Sequence, residues 1–404
     1  MIVKIAWRNV WRNGLRSGVV ITSIAMGIWA GLFVISVSAG LNEQRTQDAL
    51  KTYTSHIQVH NPEFVKENNV EFRIENMDEV RTTLKSDPNV KAFAERVVLS
   101  GMVSSSAGGY GARIAGIDPE QEKNVSVMSE KIVDGKYFEG MKRNPILIGK
   151  KLAEKLKVGV RKKIVLTFQK DNGDLVTGAF RVVGVYKTSN SKADEMNVFV
   201  RASDVNRLLE ESAGFHEVAI ITNDVANVDA DVTELKAKLS SLSVRSWKEI
   251  SPDLAFADEM MMQMLYIIIG IILMALSFGI VNTMLMAVLE RKRELGMLMS
   301  VGMNKTKVFF MIVIETVFIS MVGGPIGVAL GFITVTYFGS AGIDLSTVGE
   351  GLESFGISTM VYTNLEPVFY INVTIMVVVA AILSSIYPAR KALQLKPAEA
   401  VRAI

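Results

Sequence analysis

The 404-residue chain has no cysteine. Disulfide bridges, thiolate metal sites and a lipidated cysteine are therefore excluded, although that absence does not identify the compartment. Histidine is sparse, with three residues in all. His56 and His60 would share a strand face, but no further carboxylate or cysteine stands at a suitable spacing, so packing rather than metal binding is expected of them. No serine nucleophile elbow, zinc-hydrolase helix or paired catalytic acids can be found, and nothing points to nucleic acid. A nucleotide site is missing too: SVGMNKT at 300–306 has glycine and lysine at the wrong spacing for a phosphate-cradling loop, and no buried strand precedes it. The chain is thus expected to be neither an enzyme nor a holder of cofactors, and any energy it uses must come from another polypeptide.

Charge is also missing, but only locally. Hydrophobic residues make up 49% of the chain, and four runs, 18–41, 260–289, 308–337 and 368–389, are uncharged or nearly so. Each reaches the ~20 residues that a helix needs to cross a ~30 Å hydrocarbon core, so four transmembrane helices are expected. Residues 42–259 have ordinary polarity and are numerous enough for a core of their own. Lys4, Arg8, Arg12 and Arg16 precede the first run, Arg291, Lys292, Arg293, Lys305 and Lys307 occupy the linker 290–307, and Arg390, Lys391, Lys396 and Arg402 lie in the tail 390–404. The loop 338–367 carries only Asp344, Glu350, Glu353 and Glu366. The positive-inside bias then places both termini and the linker in the cytoplasm, with the large domain and the acidic loop outside. Val37 and Ala39 offer a weak cleavage pattern, but the first run is too long for a secretory signal core.

In the leader, residues 1–17, basic residues recur every four positions beside Val3, Trp7, Trp11 and Leu15. On a helix this makes a basic stripe beside an apolar one, suited to the cytoplasmic interface with its indoles at headgroup depth. Such a helix either anchors and orients the chain or transmits movement to the first span. Ser23, Gly27 and Gly31 form a small-residue face on the first run, and Gly323, Gly327 and Gly331 form another on the third, which allows close helix contact. Pro325 beside Gly324 predicts a kink or local unwinding. Glu315 is an ionisable residue inside a run; it serves function, or bonds a neighbouring helix, or reaches interfacial water. The second run exceeds what a bilayer needs, and its start, EMMMQMLY, is expected to project outward as a methionine-rich stalk.

The external domain reads as mixed α and β. HIQVH at 56–60, RVVLSGMVS at 96–104 and FRVVGVY at 180–186 alternate as strands do, while 150–157 and 203–211 have helical character. Asp171, Asn172 and Gly173 mark a hairpin turn. Two lobes are expected, dividing near Gly109: 42–109 with 215–259, and 110–214.

The linker sequence ERKRELGMLMSVG and the tail YPARKALQLKPAEAVR resemble the cytosolic and C-terminal signatures of the FtsX-like, MacB-type permeases of ABC transporters. The layout of leader, span, large external domain, three spans and tail is similar over the whole chain. SHIQVHNPEF, IAGIDPEQEKNV, ILIGKKLAEKL, FRVVGVYKTS and SWKEISPDL resemble, in order, segments of the LolC and LolE lipoprotein-releasing branch. The resemblance implies a porter-like and a Sabre-like lobe, a permease dimer (homo- or heterodimer) in the bacterial inner membrane, and two cytosolic ATPase subunits that use ATP and Mg. It makes 290–307 the coupling helix, with Glu290, Arg291, Glu294, Gly296, Leu298 and Gly302 as matched positions. Met299 stands where the family has a basic residue. The hairpin at Asn172 is shorter than the hook by which the LolC-type permease receives the lipoprotein chaperone, which implies a LolE-like partner or a homodimer. Lipoprotein extraction from the outer leaflet is the expected function, with acyl chains between the first two spans at Leu32, Phe33, Ser36, Met260, Met264 and Ile268. The alternatives are MacB-type efflux of drugs or peptides and FtsX-type signalling to a cell-wall hydrolase.

Overall fold

Among the described residues, four helices are long and apolar enough to cross a membrane: Gly14–Ala49, Pro252–Glu290, Lys305–Ala341 and Pro367–Leu393. The structure, a computed structural model, describes residues 2–12, 14–140, 143–210, 213–354 and 356–394. The end of the C-terminal signature, with Lys396 and Arg402, lies outside the described residues. The chain divides into two units, one of residues 1–42, 259–344 and 360–404 and one of residues 43–258 and 345–359.

The first unit is helical. The four spans share one apolar core, to which the first contributes Ile24, Ile28, Leu32 and Ile35 at helical spacing. Its glycines set the packing. A Cβ on Gly327 would lie 2.7 Å from the carbonyl oxygen of Ala25, and one on Gly331 would lie 2.6 Å from Leu32 Cδ1, so the third span rests its small-residue face directly on the first. Gly27 and Gly31 face the second span instead, against Leu276 and Ile272. The third helix continues through Pro325, so the unwinding expected there is absent. Gly323 and Gly327, on either side of the proline, are held against the first span, and that packing keeps the turn helical. The leader forms the helix Ile2–Arg12. Val3, Trp7 and Trp11 are half-exposed, whereas Ala6 and Val10 are fully buried, so the smaller residues form the face most deeply set against the protein.

The second unit is α+β. Its ten-stranded sheet comprises β1 (Ile57–His60), β2 (Val90–Ser105), β3 (Gly108–Ile117), β4 (Ile132–Gly135), β5 (Pro145–Gly149), β6 (Lys163–Gln169), β7 (Leu175–Tyr186), β8 (Asn197–Arg201), β9 (Glu217–Thr222) and β10 (Ser243–Ser246). The order is β10-β1-β9-β2-β3-β8-β5-β7-β4, with β6 joining β2 to β7. β3–β8 and β5–β7 are parallel and the other pairs antiparallel. The β6–β7 hairpin turns at Asp171–Gly173, where Gly173 takes φ +86° and Asn172 Oδ1 accepts the Asp174 N–H at 3.0 Å.

Two large apolar cores, with two smaller clusters, lie within this unit. One gathers Ile57, Val59, Leu84, Val218, Ile220 and Trp247, the other Leu99, Ile114, Ile146, Phe168, Phe180 and Val198. The division expected near Gly109 does not occur, because Gly109 pairs with Ser104 inside the β2–β3 hairpin. The cores part within β2 instead: its first half, to Arg96, pairs with β9 and its second half with β6. A 16-residue strand is long enough to serve both.

Candidate functional site

The linker between the second and third spans folds as the helix Lys292–Ser300. Its end is set by Gly302, at φ +101°. Met303 N–H donates to Leu298 O at 3.0 Å and Gly302 N–H to Met299 O at 3.2 Å, the paired bonds of a Schellman termination, for which glycine is the natural residue. Asn304 then caps the next helix by accepting the Thr306 N–H at 3.1 Å. Two sharp local signals thus hold a short helix between two spans in a fixed setting.

A chain of charges fastens this helix to its neighbours. Arg291 donates from Nε to Glu294 Oε2 at 3.1 Å and from Nη1 to both oxygens of Glu315, at 3.1 and 3.3 Å. Glu294 Oε1 accepts from Nη2 of Arg12, at the end of the leader helix. Burial pushes the Glu294 carboxyl up, but the bonds from Arg12 and Arg291 outweigh it and hold the group below its ordinary range. Glu315 therefore bonds a neighbouring element, one of the roles open to it from sequence. Trp7 packs edge-on against Phe318 at 5.2 Å, so leader, linker and third span meet at one place. Sequence reasoning missed Arg12 as a member, since 282 residues separate it from Glu294 and no local pattern joins them.

The six matched linker positions do not lie on one face. Gly296 is buried, Leu298 is half-buried, and Arg291 and Glu294 are engaged within the chain. Glu290 is exposed at the end of the second span, and Gly302 is exposed at the turn. The outward face is carried by residues the motif did not single out. Arg293, Met297 and Val301 follow at i, i+4 and i+8; Met297 is 52% and Val301 90% exposed. Met299 is half-buried against the helical core, where a basic side chain would have been desolvated.

The apolar groove between the first and second spans is also displaced from its expected place. A cavity of ≈ 370 Å³ is lined by Val20, Gly27, Gly31, Val34, Leu276 and Gly279 among others. Leu32 and Ser36 are fully buried, and Phe33 packs on Phe338 at 5.8 Å, so none of the three lines it. Leu32 belongs to the stripe that meets the third span, while Gly27, Gly31 and Val34 turn to the second. Met260 and Met264 are exposed and Ile268 half-exposed, outside the cavity lining.

In the second unit, charge is deeply buried. Arg96 donates to Glu122 (Nε to Oε2 at 3.0 Å, Nη2 to Oε1 at 2.7 Å) and from Nη1 to Glu217 Oε1 at 2.7 Å. Arg113 Nη2 reaches Glu217 Oε2 at 2.6 Å. Burial opposes the Glu217 charge, but Arg113 and Arg96 prevail and hold its pKa at about 2. His56 Nδ1 accepts the Thr222 N–H at 3.1 Å, and His60 is bonded to His216 O and Gln58 Oε1 at 3.0 and 2.9 Å. The histidines are spent on packing bonds, and no group of three or more metal-ligating side chains occurs among the described residues.

Comparison with known proteins matches this arrangement at both ends. The FtsX-like permease C-terminal model covers residues 266–397, and the MacB-like periplasmic core domain model covers residues 17–238. The chain belongs to the FtsX-like, MacB-type family of ABC transporter permeases. Two relatives of this permease are the lipoprotein-releasing system transmembrane proteins LolC of Neisseria meningitidis serogroup B, 24% identical over 97% of this chain and 95% of that one, and of Haemophilus influenzae, 22% identical over 98% and 96%. The macrolide export ATP-binding/permease protein MacB of Escherichia coli is 26% identical over 39% of this chain and 26% of its own length. The crystal structure of the periplasmic region of MacB from Actinobacillus actinomycetemcomitans covers 52% of the chain at 11% identity with a TM-score of 0.35, too low to bear on the fold. The permease is accordingly a membrane protein with a periplasmic-type α+β domain.

Proposed function

We propose that this permease extracts lipoproteins from the outer leaflet of the bacterial inner membrane for a periplasmic chaperone, powered by two separate cytosolic ATPase subunits and paired with a second permease subunit. The near full-length match to LolC proteins in both directions carries this reading, whereas the match to MacB covers about a quarter of that protein. In it, both termini and 290–307 are cytoplasmic, residues 42–259 form two periplasmic lobes, and ATP and Mg act on the partner alone. The ATPase docks on the outward face at Arg293, Met297 and Val301. Its closure pushes the linker, and the Arg12–Glu294–Arg291–Glu315 chain carries the push to leader and third span together.

The work to be done is considerable. Each acyl CH₂ taken from the bilayer costs ~0.8 kcal/mol, so several chains cannot leave without a driven step. The apolar groove beside Gly27 and Gly31 is a landing place for such a chain. Reconstitution of the permease with its ATPase and a labelled lipoprotein tests the reading. ATP-dependent transfer to a soluble chaperone is expected; ATP hydrolysis that proceeds without any transfer counts against it and favours MacB-type efflux.

A further inference from the structure

A cleft of ≈ 460 Å³ in the second unit takes no part in the scheme above. Its floor is one face of the sheet. Gln58 stands opposite Arg245 on β10, His60 stands opposite Glu217 on β9, and Glu217 stands opposite Arg96 on β2, so these side chains share a side of the sheet. The wall is the short helix Pro62–Glu67, anchored by buried Phe64, which stacks on His60 at 5.7 Å and packs on His216 at 5.1 Å.

The floor is already satisfied. Gln58 Nε2 donates to Thr54 O at 2.7 Å, its Oε1 faces His60 Nε2 at 2.9 Å, and both oxygens of Glu217 are taken by arginines. Among the lining side chains still open are two cations and the exposed carboxylate of Glu67. Arg113, one-third exposed, spends one Nη2 donor on Glu217, and the Arg245 side chain makes no hydrogen bond or ion pair with the described residues. Both lie near the same imidazole: burial, seconded by the charges of Arg113 and Arg245, holds His60 below its ordinary pKa against the pull of Glu217. Lys66, also on the lining, is balanced by Glu63 at 2.7 Å. Two guanidinium forks with free donors, over a floor whose Glu217 and Gln58 acceptors are already taken, match the paired oxygens of an oxyanion.

We propose that this cleft binds an oxyanion, the carboxylate of an acidic peptide or a phosphate group, through the open guanidiniums of Arg113 and Arg245. The site is independent of the cargo assignment, because binding needs neither ATPase nor transport. The test uses the full chain in nanodiscs of zwitterionic lipid, with tetraglutamate carrying an uncharged dye and inorganic phosphate as probes at constant ionic strength. Phenylglyoxal labelling read by mass spectrometry should show Arg245 and Arg113 protected by one probe or both. Protection by tetraglutamate alone assigns a carboxylate ligand, and by phosphate alone a phosphate ligand. Arg245→Gln should weaken the protecting probe at least tenfold, Arg245→Lys should recover part of the loss, and Arg181→Gln, on an exposed position of β7 away from the cleft, should leave binding unchanged. Absence of protection by either probe, or equal weakening by Arg245→Gln and Arg181→Gln, overturns the proposal.

Discussion

Two clusters in this molecule have the same composition, two arginines and two glutamates, and opposite settings. Arg96, Glu122 and Glu217 are no more than 2% exposed, with Arg113 at the edge. Arg12 and Glu294 are 58% and 40% exposed, and only Arg291 and Glu315 lie deeper. Buried charges cannot separate without leaving one uncompensated, which costs several kcal/mol, whereas an exposed pair trades its partner for water at little cost. The first cluster locks the sheet where its two cores part. In the second, the exposed Arg12–Glu294 pair is weak enough to break and re-form, while the deeper Arg291–Glu315 pair holds linker and third span more firmly.

That contrast can be broken at its strong end. Arg96→Met strands Glu122, leaves Glu217 with Arg113 alone and should destabilise the second unit by about 3–5 kcal/mol, read from denaturant unfolding of the purified chain; adding Glu122→Gln and Glu217→Gln should return most of the loss. A change within 1 kcal/mol for Arg96→Met alone would remove the distinction between the clusters. Next in size, Gly327→Leu should cost about 1–3 kcal/mol by overpacking against Ala25 and Ile28, while Gly270→Leu, which meets nothing within 4 Å, should be neutral in the same denaturant unfolding.

Acid should act on the buried cluster in a set order. His56 and His216 are held below their ordinary value of 6.5, chiefly by burial, so the unfolded chain binds more protons and stability declines as pH falls below 6.5. Glu217 adds a second decline between its ordinary 4.5 and about 2, as its depressed pKa contributes stability only above that window. Stability measured against pH in the Glu217→Gln chain should lack this lower step. Smallest of all, Arg12→Gln should change stability by no more than ~1 kcal/mol, while lowering the amount of lipoprotein released per ATP hydrolysed; an unaltered release-to-hydrolysis ratio would deny the second cluster its proposed part in coupling.

The sequence made the spans legible because length and hydropathy alone decide them, and it made the Asn172 hairpin legible because an Asn-Gly turn has its own chemistry. The direction in which the linker faces was not legible. Leu295 and Gly296 turn inward and Met297 and Val301 outward because of what surrounds them, not because of their own pattern, which alternates apolar residues on both sides. The same holds for Leu32: its neighbours Gly27 and Gly31 marked a packing face, but which span each face meets depends on the three-dimensional order of the helices. The partition of the cores inside β2 was hidden because one long strand reads continuously in both halves.

The absence of cysteine makes the central claim directly measurable, since any cysteine introduced is unique. Single substitutions Met297→Cys, Val301→Cys, Leu295→Cys and Leu298→Cys can each be tested in membranes for crosslinking to the ATP-binding subunit proposed to power release. Crosslinks from Met297→Cys and Val301→Cys that halt lipoprotein release are expected, and none from Leu295→Cys or Leu298→Cys. Crosslinks from the inward positions, or ATP-driven release that continues with Val301→Cys fully crosslinked, would contradict that claim.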